Sequence, residues 1–126
     1  MTRITVILAT VFSLAFTPLA AQDLQKGTAA ILAGDWAEGA RWYRLAAEQG
    51  YAKAQTNLGY MYANGQGVLQ DNVTASMWYT IGAVNGNELG GTNRDIIAEG
   101  MTSSDIFTAQ KMARDCMSSN YQNCGY

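Results

Sequence analysis

The chain has 126 residues, 48% hydrophobic, 14% charged and 10% aromatic, which is enough for one small domain and too little for a multidomain enzyme. Eight basic against ten acidic side chains and a pI near 4.9 leave no electrostatic footprint for a phosphate backbone or an anionic membrane surface, so nucleic acid is not expected as a partner. Histidine is absent, and with it the commonest general base and the commonest metal ligand, which weakens most hydrolase and metalloenzyme readings.

Met1 to Ala21 has the pattern of a secretory signal peptide. Arg3 supplies a short positive region, Ile4 to Phe16 run apolar with only small Thr and Ser among the aliphatics, and Pro18 ends the run before Leu19-Ala20-Ala21. The run is shorter than the roughly 20 apolar residues a bilayer span needs, and no cysteine follows it for acylation. Cleavage is therefore expected, leaving a mature chain from near Gln22 with no stable membrane anchor, in the periplasm or secreted. Residues 22–126 form the domain, and Leu24 to Ala33 is expected to add a helix packed on the repeat that follows.

An offset of 36 residues superimposes Asp35 on Asp71, Trp42-Tyr43 on Trp78-Tyr79, Ala47 on Ala83 and Gly50 on Gly86, and carries Thr56-Asn57 onto Thr92-Asn93 before it fades. A period in the mid-thirties indicates antiparallel helix pairs stacked as a solenoid, with repeat one at about 34–69 and repeat two at about 70–101.

Asp35, with Glu38 three residues on, is a helix start signal; Trp36, Ala40, Tyr43 and Ala47 then give an apolar stripe of helical period that Gly50 stops. The next helix is expected over Ala52 to Ala63, burying Ala54, Leu58, Met61 and Tyr62, with Gly59 letting a neighbouring helix approach closely. Asn64 to Val68 reads as a turn. Asp71 caps a third helix facing inward with Ala75, Tyr79, Gly82 and Ala83, and the pattern weakens at Gly90-Gly91 before a short helix from Thr92 to Glu99. Thr102 to Asp105 is a capping box that opens a last helix to about Met117, burying Ile106, Ala109, Met112, Ala113 and Cys116.

The string from Trp42 to Gly50, followed by Ala54-Gln55, Asn57-Leu58-Gly59, Met61-Tyr62, Gly65, Gly67-Val68 and Asp71, resembles the Sel-like repeat, a tetratricopeptide relative, and the resemblance is strong over Gly34 to Gly86. The tail from Asn93-Arg94-Asp95 to Cys124-Gly125-Tyr126 resembles the C-terminal ends of small exported bacterial members. The resemblance implies an all-α fold, a short α-α solenoid used as an interaction scaffold or adaptor around envelope signalling or host contact, with residues 102–126 as a capping helix and tail. About three units are normally needed to bury a solenoid core, so two repeats require help from terminal helices, a crosslink or a partner.

Cys116 and Cys124 are the only cysteines in a chain bound for an oxidising compartment, which points to a disulfide between them. A metal pair lacks two further soft ligands, and a cysteine nucleophile lacks its histidine. Gly65 and Gly67 do not complete a phosphate loop, Asn72-Val73-Thr74 is an idle glycosylation match for a bacterial export product, and Asp71 lacks the ligand series of a calcium loop. No metal, cofactor or catalytic set is expected.

Trp42 and Trp78 each lie beside the inward Tyr of their helix, and two readings stand open: both fill the space between stacked helices, or both line a groove with Arg41 and Arg44. On the groove reading the candidate protein-binding surface is Arg41, Trp42, Arg44, Asn57, Tyr60 and Trp78, and the function is a non-enzymatic extracytoplasmic module holding a protein or peptide. The alternative is a cell-wall-active enzyme binding or hydrolysing β-lactams, as the resemblance to cysteine-rich relatives implies. None of Ser13, Ser76, Ser103, Ser104, Ser118 or Ser119 has the lysine three residues on that this chemistry uses. Nothing in the sequence fixes an oligomeric state.

Overall fold

The computed structural model describes residues 18–126, so the reading of Met1 to Ala21 as a targeting segment lies outside the described residues except for its last four. Six helices follow in order: α1 Leu19–Leu32, α2 Trp36–Ala47, α3 Ala52–Asn64, α4 Asn72–Val84, α5 Glu88–Ala98 and α6 Ser103–Ser118. The described residues contain no strand. α1 packs on α2, α2 on α3, α3 on α4 and α4 on α5, the nearest-neighbour stacking of an α-α solenoid, and α6 turns back onto α4.

The helix starts follow from their caps. Asp35 accepts the Glu38 N–H (3.1 Å), Asp71 accepts those of Val73 (2.9 Å) and Thr74 (3.2 Å), and Thr102 accepts that of Asp105 (3.1 Å). Gly50 and Gly86, one period apart, both take the left-handed conformation (φ +83° and +102°) that ends α2 and α4.

Two boundaries differ from the sequence reading. α1 begins at Leu19 rather than Leu24, directly after Pro18, and buries Ala20 as well as Leu24. α5 begins at Glu88 rather than Thr92, because Asn87 caps it by accepting the Gly90 N–H (3.2 Å). The Gly90-Gly91 pair is a contact and not a break: a Cβ on Gly90 would lie 2.6 Å from the Tyr79 carbonyl oxygen, so the missing side chain lets α5 lie on the α4 backbone.

The core is built largely from alanine, with Ala46, Ala47, Ala54 and Ala75 fully buried around Trp78, Tyr79, Leu58, Met61, Met77 and Ile81. Small side chains bring the helices close. Gly27 seats the Tyr43 ring and Gly59 seats the Tyr79 ring, the same glycine–tyrosine contact made once in each hairpin. Two polar pairs, each with one buried member, repeat in the same way: Gln49 Nε2 donates to buried Asp23 (2.9 Å) and Asn85 Nδ2 to buried Gln55 (2.9 Å). These pairs relate α1 to α3 by 32 residues and α2 to α4 by 36. The difference lies in the links, since the α1–α2 connection spans 33–35 and the α3–α4 connection 65–71.

After α6 the chain reverses at Asn120 and Tyr121, both at positive φ (52° and 62°), and runs as a strap over the C-terminal ends of α4 and α2. Cys116 and Cys124 pair as a disulfide and are both buried. The Tyr121 hydroxyl accepts from Asn85 Nδ2 (3.0 Å), and the Tyr126 hydroxyl donates to Glu48 (2.6 Å). The terminal helices and this bonded strap supply the support that a two-repeat core requires.

Candidate functional site

The six residues read as one surface separate into four places. Trp78 is fully buried on α4, a helix enclosed by α3, α5 and α6, and is not available to a partner. Trp42, its equivalent on α2, is half-buried because α2 has only α1 and α3 as principal neighbours. Its indole N–H donates to Glu38 (3.0 Å), while Lys26 Nζ and the Arg41 guanidinium lie over its ring at 4.5 and 4.7 Å. Arg41 also bonds Glu38 through two nitrogens, and these bonds hold the Glu38 carboxyl below its ordinary range. This cluster satisfies itself. Trp36, expected on the inward stripe, is 38% exposed because it is the first residue of α2.

Arg44 lies at the strap. Its Nη2 donates to the Tyr62 hydroxyl (2.9 Å) and its guanidinium stacks on the Tyr126 ring at 4.4 Å. Burial, followed by the hydrogen bond to the Glu48 carboxylate and its charge, holds the Tyr126 phenol well above the usual tyrosine range, so it remains a neutral donor.

Asn57 and Tyr60 belong to the fourth place, a face formed by the odd-numbered helices. Lys53, Asn57, Tyr60 and Asn64 recur at i, i+4, i+7 and i+11 along one side of α3. The 32-residue relation places Ala21, Gln25, Thr28 and Leu32 in the same positions on α1, and the 36-residue relation places Leu89, Asn93 and Ile96 there on α5, with Gly100 just past its end. A cleft of about 420 Å³ between α1 and the start of α3 is lined by Ala21, Gln25, Thr28, Leu32, Tyr51 and Lys53. A second, of about 240 Å³, is lined by Tyr60, Asn64, Tyr79, Asn93, Ile96 and Ile97. Leu32 (84% exposed), Tyr60 (51%), Leu89 (64%) and Ile96 (60%) present apolar surface along this face. The Asn57 and Asn93 side chains, equivalent and half-buried, make no hydrogen bond among the described residues.

The reading of one 36-residue period missed this face because it left α1 outside the repeat. The signal was present in Gly27 and Gly59, whose 32-residue spacing puts α1 and α3 in register.

The model of the Sel1 repeat matches residues 25–51 and 52–87, two segments that hold most of α1 with α2, and α3 with α4. The chain belongs to the Sel1 repeat family. Among solved structures, this Sel1 repeat chain is similar to c5321, a protective antigen present in uropathogenic Escherichia coli strains displaying an SLR fold, with 30% identity and a TM-score of 0.73. The similarity covers 81% of this chain, which spans 24% of the length of that antigen. Among the described residues of the Sel1 repeat domain, no group of three His, Cys, Asp or Glu side chains could hold a metal ion, and no helix is long and apolar enough to cross a membrane.

Proposed function

We propose that this Sel1 repeat protein is a non-enzymatic interaction module of the bacterial envelope, exported through Met1 to Ala21, that holds a peptide segment of a protein partner on its odd-helix face. The observation that carries the reading is the pair of equivalent amides, Asn57 and Asn93, unbonded among the described residues and flanked by exposed Tyr60, Leu89 and Ile96. A side-chain amide offers one donor group and one acceptor, which matches the N–H and C=O of a peptide backbone, and the neighbouring apolar side chains supply contact area without selecting charge. Lys53 is the one charged member of the face.

The test is a photo-crosslinking amino acid placed at Tyr60, at Ile96 and, for comparison, at Arg41, in the cells that make the protein. Adducts from Tyr60 and Ile96 that disappear in the Asn57→Ala/Asn93→Ala variant, whose thermal melt is unchanged, would support the reading. Adducts from Arg41 alone would overturn it.

A further inference from the structure

The Tyr126 side chain is held in the manner of a ligand. Tyr126 is met by chemistry suited to each part of its side chain: the Arg44 guanidinium lies over the ring at 4.4 Å, and the Glu48 carboxylate accepts from the hydroxyl at 2.6 Å. Arg44 is itself oriented by the Tyr62 hydroxyl at 2.9 Å, and its Nε is buried with no hydrogen-bond partner. We propose that Arg44, Glu48 and Tyr62 form a receptor for an unmodified tyrosine side chain, which the chain's own Tyr126 fills as an intramolecular competitor of a tyrosine-bearing peptide.

The construction of the strap supports a competitor that can leave. Tyr126 remains 57% exposed, and only Gly125, at φ +91°, separates it from Cys124. The buried Cys116–Cys124 bond fixes the base of this two-residue tether on α6, so Tyr126 can release while the rest of the strap stays in place. A tyrosine offered by another chain meets this local concentration as its only opponent.

The receptor also selects. Phenylalanine has the ring for Arg44 and lacks the donor for Glu48. Phosphotyrosine loses the donor and sets a phosphate against the Glu48 carboxylate, a like-charge contact. The site sits at the C-terminal end of α2 and shares no residue with the odd-helix face, so it stands independently of the function proposed above.

The experiment titrates isotope-labelled protein with N-acetyl-tyrosinamide, N-acetyl-phenylalaninamide and N-acetyl-phosphotyrosinamide, reading the Arg44 Nε–H and Glu48 amide resonances by NMR. A chain ending at Cys124 should bind the tyrosine probe saturably with a dissociation constant of about 1 to 10 mM. The full chain should bind it about tenfold more weakly because Tyr126 competes. Phenylalaninamide, or Glu48→Ala in the shortened chain, should each lower affinity about tenfold, and the phosphorylated probe should leave both resonances unmoved. Tyr126→Ala in the full-length chain reports the same affinities if the shortened chain does not fold. The proposal is overturned by absence of saturable shifts in both variants, by equal affinity for the tyrosine and phenylalanine probes, by tighter binding of the phosphorylated one, or by an undiminished affinity in the full chain.

Discussion

The Tyr79 ring rests on the bare backbone of Gly59: a Cβ there would lie 2.7 Å from Tyr79 Cδ1 and 3.1 Å from the Ala75 carbonyl oxygen. Tyr79 is itself buried, so its ring has no free direction in which to retreat. The methyl group of Gly59→Ala would force α3 and α4 apart against a close-packed interior. A loss of about 1 to 3 kcal/mol is expected in urea denaturation. Gly100→Ala is the control, because a Cβ there meets only the Ile97 carbonyl oxygen at 3.9 Å, and its stability should be unchanged or higher by up to about 1 kcal/mol. Equal stabilities for the two variants would show that the α3–α4 contact is looser than described.

Trp42 and Trp78 occupy one repeat position and should respond differently to truncation. Trp78→Ala empties a fully buried site and is expected to cost about 3 to 5 kcal/mol, enough to unfold a domain of this size. Trp42→Ala removes a half-buried ring from under Lys26 and Arg41 and should cost about 1 to 2 kcal/mol with helical content kept. Circular dichroism melts of the two variants measure the difference, and a Trp42→Ala chain that is unfolded at room temperature would contradict it.

The disulfide should act locally. Replacing Cys116 and Cys124 by serine removes a crosslink of sequence separation 8 and is expected to cost about 2 to 3 kcal/mol. Nearest-neighbour coupling in a stack confines most of that loss to α6 and the strap. Hydrogen exchange should show faster exchange over residues 109–121 with α1 and α2 unaffected; uniform acceleration along the chain would refute it. Alkylation before reduction should label no thiol.

Export predicts a particular mass. Protein recovered from the envelope fraction should lack Met1 to about Ala21 and retain Gln22 onward. A full-length species carrying Met1 as the main product would remove the basis for an extracytoplasmic role.

The sequence showed most plainly those features that depend on a single chemical group. Asp35, Asp71 and Thr102 were legible as caps because the acceptor oxygen that starts a helix must sit within two or three residues of the N–H groups it accepts. Tyr43, Ala40 and Ala47 were legible as core from their spacing, and the bonded cysteines from their number and context. What could not be read was the identity of each helix's neighbours. Trp42 and Trp78 carry the same local sequence, and only the number of helices packed around α2 and α4 makes one half-exposed and the other buried. Gly90 failed for a related reason: a glycine that admits a neighbouring backbone and one that breaks a helix look alike until the neighbour is known. In the candidate surface, Asn57 and Tyr60 lie on the odd-helix face, whereas Leu32 could join them only once the 32-residue register of α1 was recognised, and Leu89 and Ile96 only once α5 was seen to run from Glu88.

The polar contacts of Asp23 with Gln49 and of Gln55 with Asn85 fix how the helices that carry that face sit against their partners. An interface of alanine methyl groups alone would accept a helix displaced along its axis by one turn, about 5.4 Å, with little change in contact. The polar couples do not accept it, because a displaced Asp23 or Gln55 would be left in the interior without its donor. Within each hairpin, α1 with α2 and α3 with α4, the two helices therefore have a single alignment. A third couple, Thr56 donating to Asn87 (3.1 Å), ties α3 to the cap of α5, so the interval between Asn57 and Asn93 behaves as a ruler set by residues outside the face, and substitutions at Thr56 or Asn87 would alter which peptide spacing fits while leaving every side chain of the face in its original chemical form.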